Sequence, residues 1–182
     1  MNSKIWSFSA VGQDRPGIIT ALSKLLFEHK CNLSDSSMTI LAGQFAIITI
    51  LETSETTNEQ RLQEAIQSLG NTWHLEVSLA PLKDKLEAHT NDEGSHLLVS
   101  VYGADQAGIT WRVAELISAK GYNVTDLSTK KLGGSPPVYI LLLEIESTPN
   151  SEEPSILETE LIELGKGLSC SVSVKAVESS AL

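Results

Sequence analysis

The sequence predicts an α+β protein in which one unit, strand-helix-strand-strand-helix-strand, occurs twice. The first observation is an internal repeat, because Gly12–Ile18 (GQDRPGI) returns with changes as Gly103–Ile109 (GADQAGI), 91 residues later. The second is that both copies show the same succession of hydrophobic periods, alternating in strands and spaced by three and four residues in helices. The third is size, since 182 residues, 41% of them hydrophobic, are enough for two small cores.

The first strand and the first helix of the unit are predicted from the spacing of apolar residues and from the glycine and proline residues at their ends. Apolar residues alternate with serine through Phe8 and indicate a half-buried strand that ends near Gly12. Isoleucine and leucine residues from Ile18 to Leu26 then lie on one side of a helix. Pro16 suits the first turn of that helix, where an amide hydrogen would have no partner in any case.

The second half of the unit is predicted as a hairpin, a helix and a strand. Asn32–Leu41 and Gln44–Thr53 form the hairpin around Ala42 and Gly43, and the second of these strands is apolar enough for a central position in a sheet. A helix follows from Asn58 to Gly70. An alternating strand then closes the unit.

The second copy is predicted to repeat this order with a longer hairpin loop. Phe45 corresponds to Tyr139, 94 residues later, because Gly133–Pro137 adds turn residues between the two strands. The second helix of this copy is expected from Pro154 to Gly165. A βαββαβ unit of this length folds as a ferredoxin-like plait, a four-stranded antiparallel sheet with two helices on one face. We therefore assign residues 1–81 and 96–178 to two such domains, residues 82–95 to a polar linker and residues 179–182 to a tail.

Charge and composition narrow the classes of partner. The formal net charge of -10, from 23 acidic and 13 basic side chains, argues against direct contact with nucleic acid, whose phosphates are normally neutralised by clustered Lys and Arg. The amino-terminal sequence lacks the charged and apolar regions of a signal peptide, and no apolar run is long enough to cross a bilayer. We therefore expect a cytoplasmic protein with no membrane contact. Cys31 and Cys170 form no Cys-x-x-Cys pair and are interpreted as small buried apolar residues.

The sequence gives no sign of a catalytic or metal centre. No cysteine or carboxylate cluster completes a metal-ligand set with the four histidines, which are His29, His74, His89 and His96. There is no nucleophile elbow, phosphate-binding loop or dinucleotide fingerprint. The prediction is a protein that is not an enzyme and that uses no cofactor or metal. Trp111 lies off the apolar stripe of its helix and is a candidate contact for a partner.

The loop before the first helix and the start of the next strand carry a family resemblance. Asp14–Ile18 (DRPGI), followed after one helix by Asn32–Asp35 (NLSD), closely resembles the ACT-domain pattern. The tandem arrangement is similar to the glycine cleavage system transcriptional repressor family. The resemblance implies domains that sense amino acids or related metabolites. The candidate ligand-binding residues are Asp14, Arg15, Pro16, Gly17, Ile18, Asn32, Leu33 and Asp35 in the first copy, and Asp105, Gly108, Ile109, Asn123, Val124 and Asp126 in the second.

A helix start offers the chemistry that such a ligand needs. The unpaired amides and the helix dipole after Asp14 can receive a carboxylate, and Gly17 allows close approach of the backbone. The Asn32 amide then supplies a donor and an acceptor, while Asp35 or backbone carbonyls take the ammonium group. Plainer roles stay open. Asp14 would act only as a helix cap, Gly17 as a packing residue, Asn32 as a turn residue and Asp35 as a solvated strand residue.

The second copy departs from the family pattern in its loop. Gln106 and Ala107 stand where the first copy has Arg15 and Pro16, so this loop lacks the cation that could orient an anion.

The leading hypothesis is a regulator that binds an amino acid, with glycine as the first candidate, between ACT units. Binding would change the surface shown to a protein partner, and a repressor role would act through that partner rather than through DNA. Apolar central strands and free sheet edges favour a homo-oligomer. Two alternatives stay open. One is a regulatory subunit of a metabolic enzyme, because similar ACT units accompany catalytic domains in formyltetrahydrofolate deformylases. The other is a structural dimerisation module.

Overall fold

The computed structural model describes residues 4–82, 95–134 and 137–177. Contacts divide the chain into two compact units, Met1–His89 and Thr90–Leu182, and each is described by itself. Of the predicted linker only Leu82 and Ser95 lie within the described residues, and the predicted tail lies outside them. No helix in the described ranges has the length and apolar character to span a membrane.

Each unit is a four-stranded antiparallel sheet with two helices, which confirms the predicted α+β class and the ferredoxin-like βαββαβ order. The first unit has its strands in the order β2-β3-β1-β4, and the second in the order β6-β7-β5-β8. The elements of the first unit are β1 (Lys4–Gln13), α1 (Ile18–Glu28), β2 (Cys31–Leu41), β3 (Gln44–Thr53), α2 (Glu59–Trp73) and β4 (Leu75–Pro81). Those of the second are β5 (His96–Ala104), α3 (Ile109–Ala119), β6 (Tyr122–Leu132), β7 (Val138–Ser147), α4 (Pro154–Gly167) and β8 (Cys170–Ala176).

Alternation along the strands places one core in each unit, on the face that the helices cover. In the first unit Phe8, Phe45 and Leu51 are fully buried against the apolar side of α1 and α2. In the second unit Val99 and Ile145 are buried at the positions of Phe8 and Leu51, and Leu141 and Leu143 are buried between them. The predicted central strands are therefore interior strands of their sheets, and β2 and β6 are edge strands.

The first hairpin turns where the sequence predicts it. Ala42 and Gly43 have φ values of 51° and 77°, the two positive angles that a tight two-residue turn requires between twisted strands. The carbonyl of Gly43 also accepts a 2.9 Å hydrogen bond from the amide of Asp14. This bond ties the end of the hairpin to the loop that precedes α1.

Two helices extend past the glycines near which they are predicted to end. Helix α2 continues past Gly70 to Trp73, and α4 continues past Gly165 to Gly167. Both glycines are buried inside their helices, where the next strand approaches the helix backbone closely. A Cβ on Gly165 would lie 2.5 Å from Cγ2 of Val172, and one on Gly70 would lie 2.9 Å from the carbonyl oxygen of Leu75. The role of these glycines is close packing rather than termination.

Alanine at Gly165 should therefore destabilise the second unit, although alanine normally favours a helix. The added methyl group overlaps β8, and overpacking of this kind costs about 1 to 3 kcal/mol. Urea unfolding followed by circular dichroism measures the change in the free energy of unfolding. The matched control is Gly167→Ala, since a Cβ there meets nothing within 4 Å and should be neutral or stabilising. Equal effects of the two substitutions would contradict the packing role.

Candidate functional site

The loop between β1 and α1 is built around a glycine in a left-handed conformation. Gly17 has a φ of 100° and immediately precedes α1, which begins at Ile18. Because Gly17 occupies the capping position, α1 has no side-chain cap. The amide of Ile18 donates a 3.5 Å hydrogen bond to the carbonyl of Arg15, whereas the next two amides, those of Ile19 and Thr20, have no partner among the described residues and are free donors. The interpretation of Asp14 as a helix cap is thus wrong, and Pro16 lies before the helix rather than in its first turn.

A pocket of about 170 Å³ opens beside this helix start. It lies between the beginning of α1 and the far end of β2. Its walls combine charged, backbone and apolar groups, contributed by Asp14, Arg15, Gly17, Ile18, Ile19, Thr20, Met38, Ile40 and Phe45. Ile18 and Phe45 are buried and form its floor, while Met38 and Ile40 are 48% and 52% exposed. Four of the predicted site residues, Asp14, Arg15, Gly17 and Ile18, therefore line the same pocket.

The charged groups at the pocket are available to a ligand. The side chains of Asp14 and Arg15 are exposed and make no hydrogen bond or ion pair with any other described residue. The backbone of the loop is held all the same, through the bond from the Asp14 amide to Gly43 and a 2.9 Å bond from the Ala21 amide to the Gly17 carbonyl. The loop thus presents a cation and an anion from a backbone that is already fixed.

The predicted partners on β2 lie elsewhere in the same unit. Asn32 is at the start of β2, opposite Glu52. The other end of β2 lies near the loop, because Leu41 and Gln13, the last residue of β1, both pair with Gln44. The nine residue steps from Asn32 to Leu41 span about 30 Å of extended chain. One unit therefore does not bring Asn32 to a ligand at the start of α1.

The other β2 candidates have structural surroundings. Leu33 is half-buried and packs against the core of the first unit. Asp35 lies in a bulge, since the pairing register shifts between Leu33 and Ser36, and its backbone carbonyl accepts a 3.0 Å hydrogen bond from Oγ1 of Thr49. The carboxylate of Asp35 is exposed.

Sequence reasoning missed the apolar wall of the pocket. Met38 and Ile40 share the helix-facing side of β2, because they lie opposite Ile47 and Phe45, which are buried. Their alternation with Ser37 and Thr39 is visible in the sequence and indicates that they share one side of the strand, but not that this side faces the helices.

The second unit repeats the backbone of this site with different side chains. Gly108 has a φ of 95° before α3, which begins at the buried Ile109. The carboxylate of Asp105 forms an ion pair with Lys131 at the end of β6. The side-chain amide of Gln106 donates a hydrogen bond to the backbone carbonyl of Leu168. Beside Gln106, burial raises the pKa of the Cys170 thiol, and a hydrogen bond from Gln106 partly offsets this effect.

The β6 candidates also lie away from their loop. Asn123 donates a 3.4 Å hydrogen bond to Glu146, Val124 packs against the core and Asp126 follows a bulge opposite Glu144. Trp111, proposed above as a partner contact, is 63% exposed with the Arg112 guanidinium 5.9 Å from its ring centre.

Metal chemistry has no support in the described ranges, where no group of three or more His, Cys, Asp or Glu side chains is placed to hold an ion. His89 lies outside those ranges. Cys31 is a free thiol in the core of the first unit, as its interpretation as a small buried residue predicts, and burial raises its pKa.

Comparison with known families tests the resemblance to ACT domains that the Asp14–Ile18 loop suggests. The ACT domain profile matches residues 8–80 and again residues 95–175, one match to each unit. The chain belongs to the ACT domain family. ACT domains are regulatory rather than catalytic modules, so the chain is a regulatory protein of tandem ACT domains.

Individual relatives agree with this assignment. A UPF0237 protein of Methanopyrus kandleri is 34% identical over 70 residues, which is 38% of this chain and 78% of that protein. A UPF0237 protein of Methanocaldococcus jannaschii is 37% identical over 67 residues, which is 34% of this chain and 74% of that protein.

Two solved structures share the tandem ACT fold over nearly the whole chain. An unknown protein from Galdieria sulphuraria has a TM-score of 0.75 at 20% identity and covers 97% of this chain and 99% of its own. A protein provisionally identified as a glycine cleavage system transcriptional repressor has a TM-score of 0.72 at 18% identity, with the same coverage of 97% and 99%. At these identities the likeness establishes the fold alone.

The left-handed glycines should be needed for the conformation of both loops. Alanine at Gly17 or Gly108 would place a Cβ in a region that costs about 1 to 2 kcal/mol per residue. At Gly17 the new Cβ would also come within 3.1 Å of the Trp73 ring, whereas at Gly108 it meets nothing within 4 Å. We expect both variants to lose stability in urea unfolding, Gly17→Ala more than Gly108→Ala. Gly133→Ala is the control, since φ there is not positive and a Cβ meets no atom within 4 Å. A Gly108→Ala variant as stable as that control would contradict the backbone argument.

Proposed function

We propose that this protein senses a free amino acid and passes the signal to a protein partner, in the manner of a transcriptional repressor of the glycine cleavage type. The observation that carries the proposal is the pocket at the start of α1, in a chain made of two ACT domains. The provisional repressor with the same tandem fold is consistent with this role.

The pocket has the charges that an α-amino acid needs. The free amides of the first turn of α1 and the guanidinium of Arg15 receive the carboxylate, since a helix start attracts anions and Arg binds carboxylates strongly. The carboxylate of Asp14, on the same wall, receives the ammonium group. Both charges of the ligand are then matched in a pocket that holds only a small molecule.

A homo-oligomer completes the site. Strand β2 is a sheet edge, and residues 36–41 carry no charge that would discourage pairing with another strand. When two copies pair their β2 strands antiparallel about a two-fold axis, the start of one strand lies beside the end of the other. Asn32 of one copy then lies beside the pocket of the other, where its amide binds the ligand. In this arrangement Asn32 can contact a ligand in the pocket of the other copy, which it cannot do within a single unit.

The signal passes to a protein rather than to DNA. The net charge of -10 opposes binding to a phosphate backbone. A ligand that prefers one of two assembly states shifts their balance by its difference in affinity, typically about 1 to 3 kcal/mol. The partner recognises one of these states. Glycine is the ligand that the family resemblance suggests first.

A thermal-shift screen of the purified chain against the twenty amino acids tests this function. A ligand at about 100 times its Kd adds roughly 2.7 kcal/mol to the stability of the folded state, so the unfolding midpoint should rise by several degrees. We expect Asp14→Asn to abolish the shift, because it removes the charge that binds the ammonium group. Asn32→Ala should also abolish it if the site is shared between copies, and light scattering on the same samples reports whether the oligomer persists.

The control is Glu76→Gln, an exposed change on β4 at the other edge of the sheet, which should leave the shift intact. A screen in which no amino acid raises the midpoint would overturn the proposed function.

A further inference from the structure

The two copies of the repeat differ in several of the side chains that line the pocket. Ile40 and Lys131 are equivalent, because each lies on an edge strand opposite the first aromatic residue of the neighbouring strand. Two positions earlier on the same side, Met38 corresponds to Thr129. Ile19 and Thr110 are the second residues of their helices. The replaced pairs are Ile19 and Thr110, Met38 and Thr129, Ile40 and Lys131, and Phe45 and Tyr139.

The polar side chains of the second unit satisfy one another. Nζ of Lys131 forms an ion pair with the carboxylate of Asp105, the residue equivalent to Asp14. Oγ1 of Thr110 lies 2.8 Å from the hydroxyl oxygen of Tyr139, a hydrogen-bonding distance. The carboxylate that would bind an ammonium group therefore already has a cation beside it, and Thr129 and Lys131 stand where the first unit has Met38 and Ile40.

The first unit has neither of these pairs. Ile40, Ile19 and Phe45 stand at the positions of Lys131, Thr110 and Tyr139. No cation is therefore placed beside Asp14 by these residues, and its carboxylate is available to a ligand. The apolar wall beside it is only half covered by the protein, with Ile19 42% exposed, Met38 48% and Ile40 52%. Apolar area of this kind next to a charged loop is what the side chain of a bound amino acid would cover.

We propose that the first ACT unit alone binds the amino acid and that it selects an aliphatic side chain over glycine. This inference rests on the proposed function and sets the ligand class and the number of sites. The α-amino and carboxylate groups occupy the charged end of the pocket, and the side chain lies on Met38 and Ile40. Glycine makes the charged contacts and leaves the apolar wall in water.

The size of the preference follows from the buried area. Each fully buried methylene adds about fourfold to affinity. A leucine side chain has four carbon atoms, and the pocket is open on one side, so part of this gain is lost. We therefore expect leucine to bind at least about tenfold more tightly than glycine.

Isothermal titration calorimetry of the full chain with leucine and with glycine tests the proposal. The expected result is one leucine per chain, at least tenfold tighter than glycine. Ile40→Lys places the cation of the second unit beside Asp14 and removes part of the apolar wall, so it should abolish leucine binding. Ile40→Ser removes only the wall, so it should weaken leucine and leave glycine unchanged.

The matched control is Phe27→Lys, which adds the same charge near the end of α1. Phe27 is 79% exposed and belongs neither to the pocket nor to β2, so leucine binding should be retained. Glycine bound as tightly as leucine, two ligands per chain, or unchanged leucine binding in Ile40→Lys would each overturn the proposal and leave the sensor function standing. Failure of all amino acids to bind would overturn the sensor function as well.

Discussion

The two helices of the first ACT unit leave the end of β2 partly uncovered, and this gap determines where the pocket lies. They bury the interior strands almost completely, with Phe45 at 1% exposure and Ile47 at 7%. Their partners one strand outward, Met38 and Ile40, stay about half exposed although they point to the same side. The apolar surface left at the end of this edge strand lies directly beside the loop that leads into α1. The pocket is therefore a consequence of the fold, and its character depends on which residues end the edge strand.

The repeat and the periodicities predicted most of this fold, because a half-buried strand must alternate and a helix packed on a sheet must carry an apolar stripe. The hairpin turn at Ala42 and Gly43 was predicted for the same local reason, since the turn type depends on the two residues themselves. The helix ends were not predictable in this way. Gly70 and Gly165 are needed because of strands that follow them in the chain, and a contact across the fold leaves no local mark that separates it from a helix stop.

The candidate site was predicted in part, because its residues were inferred from neighbours in a family pattern rather than from positions in a sheet. Asp14, Arg15, Gly17 and Ile18 of the predicted loop line the pocket. Asn32 was placed with it, although the predicted β2 strand of about ten residues already implied that its first residue and the β1–α1 loop lie at opposite ends. The walls from Met38 and Ile40 were missed, since exposed apolar residues on an edge strand look like ordinary strand residues until the pairing register is known.

A loop of fixed conformation limits how the protein can respond to a ligand. Gly17 has a left-handed φ of 100°, and the hydrogen bond from the Asp14 amide to the Gly43 carbonyl ties the loop to the hairpin. Binding to a loop that the backbone holds in this way spends little free energy on ordering the protein. A large change within the unit is therefore not expected. The pocket opens to solvent at the exposed end of β2. A ligand there would alter the surface that an adjoining chain contacts, and the free energy of binding would then shift the balance between assembly states. Under the proposed function, the signal would be a change in how copies or partners assemble along that edge, with each ACT domain keeping its fold.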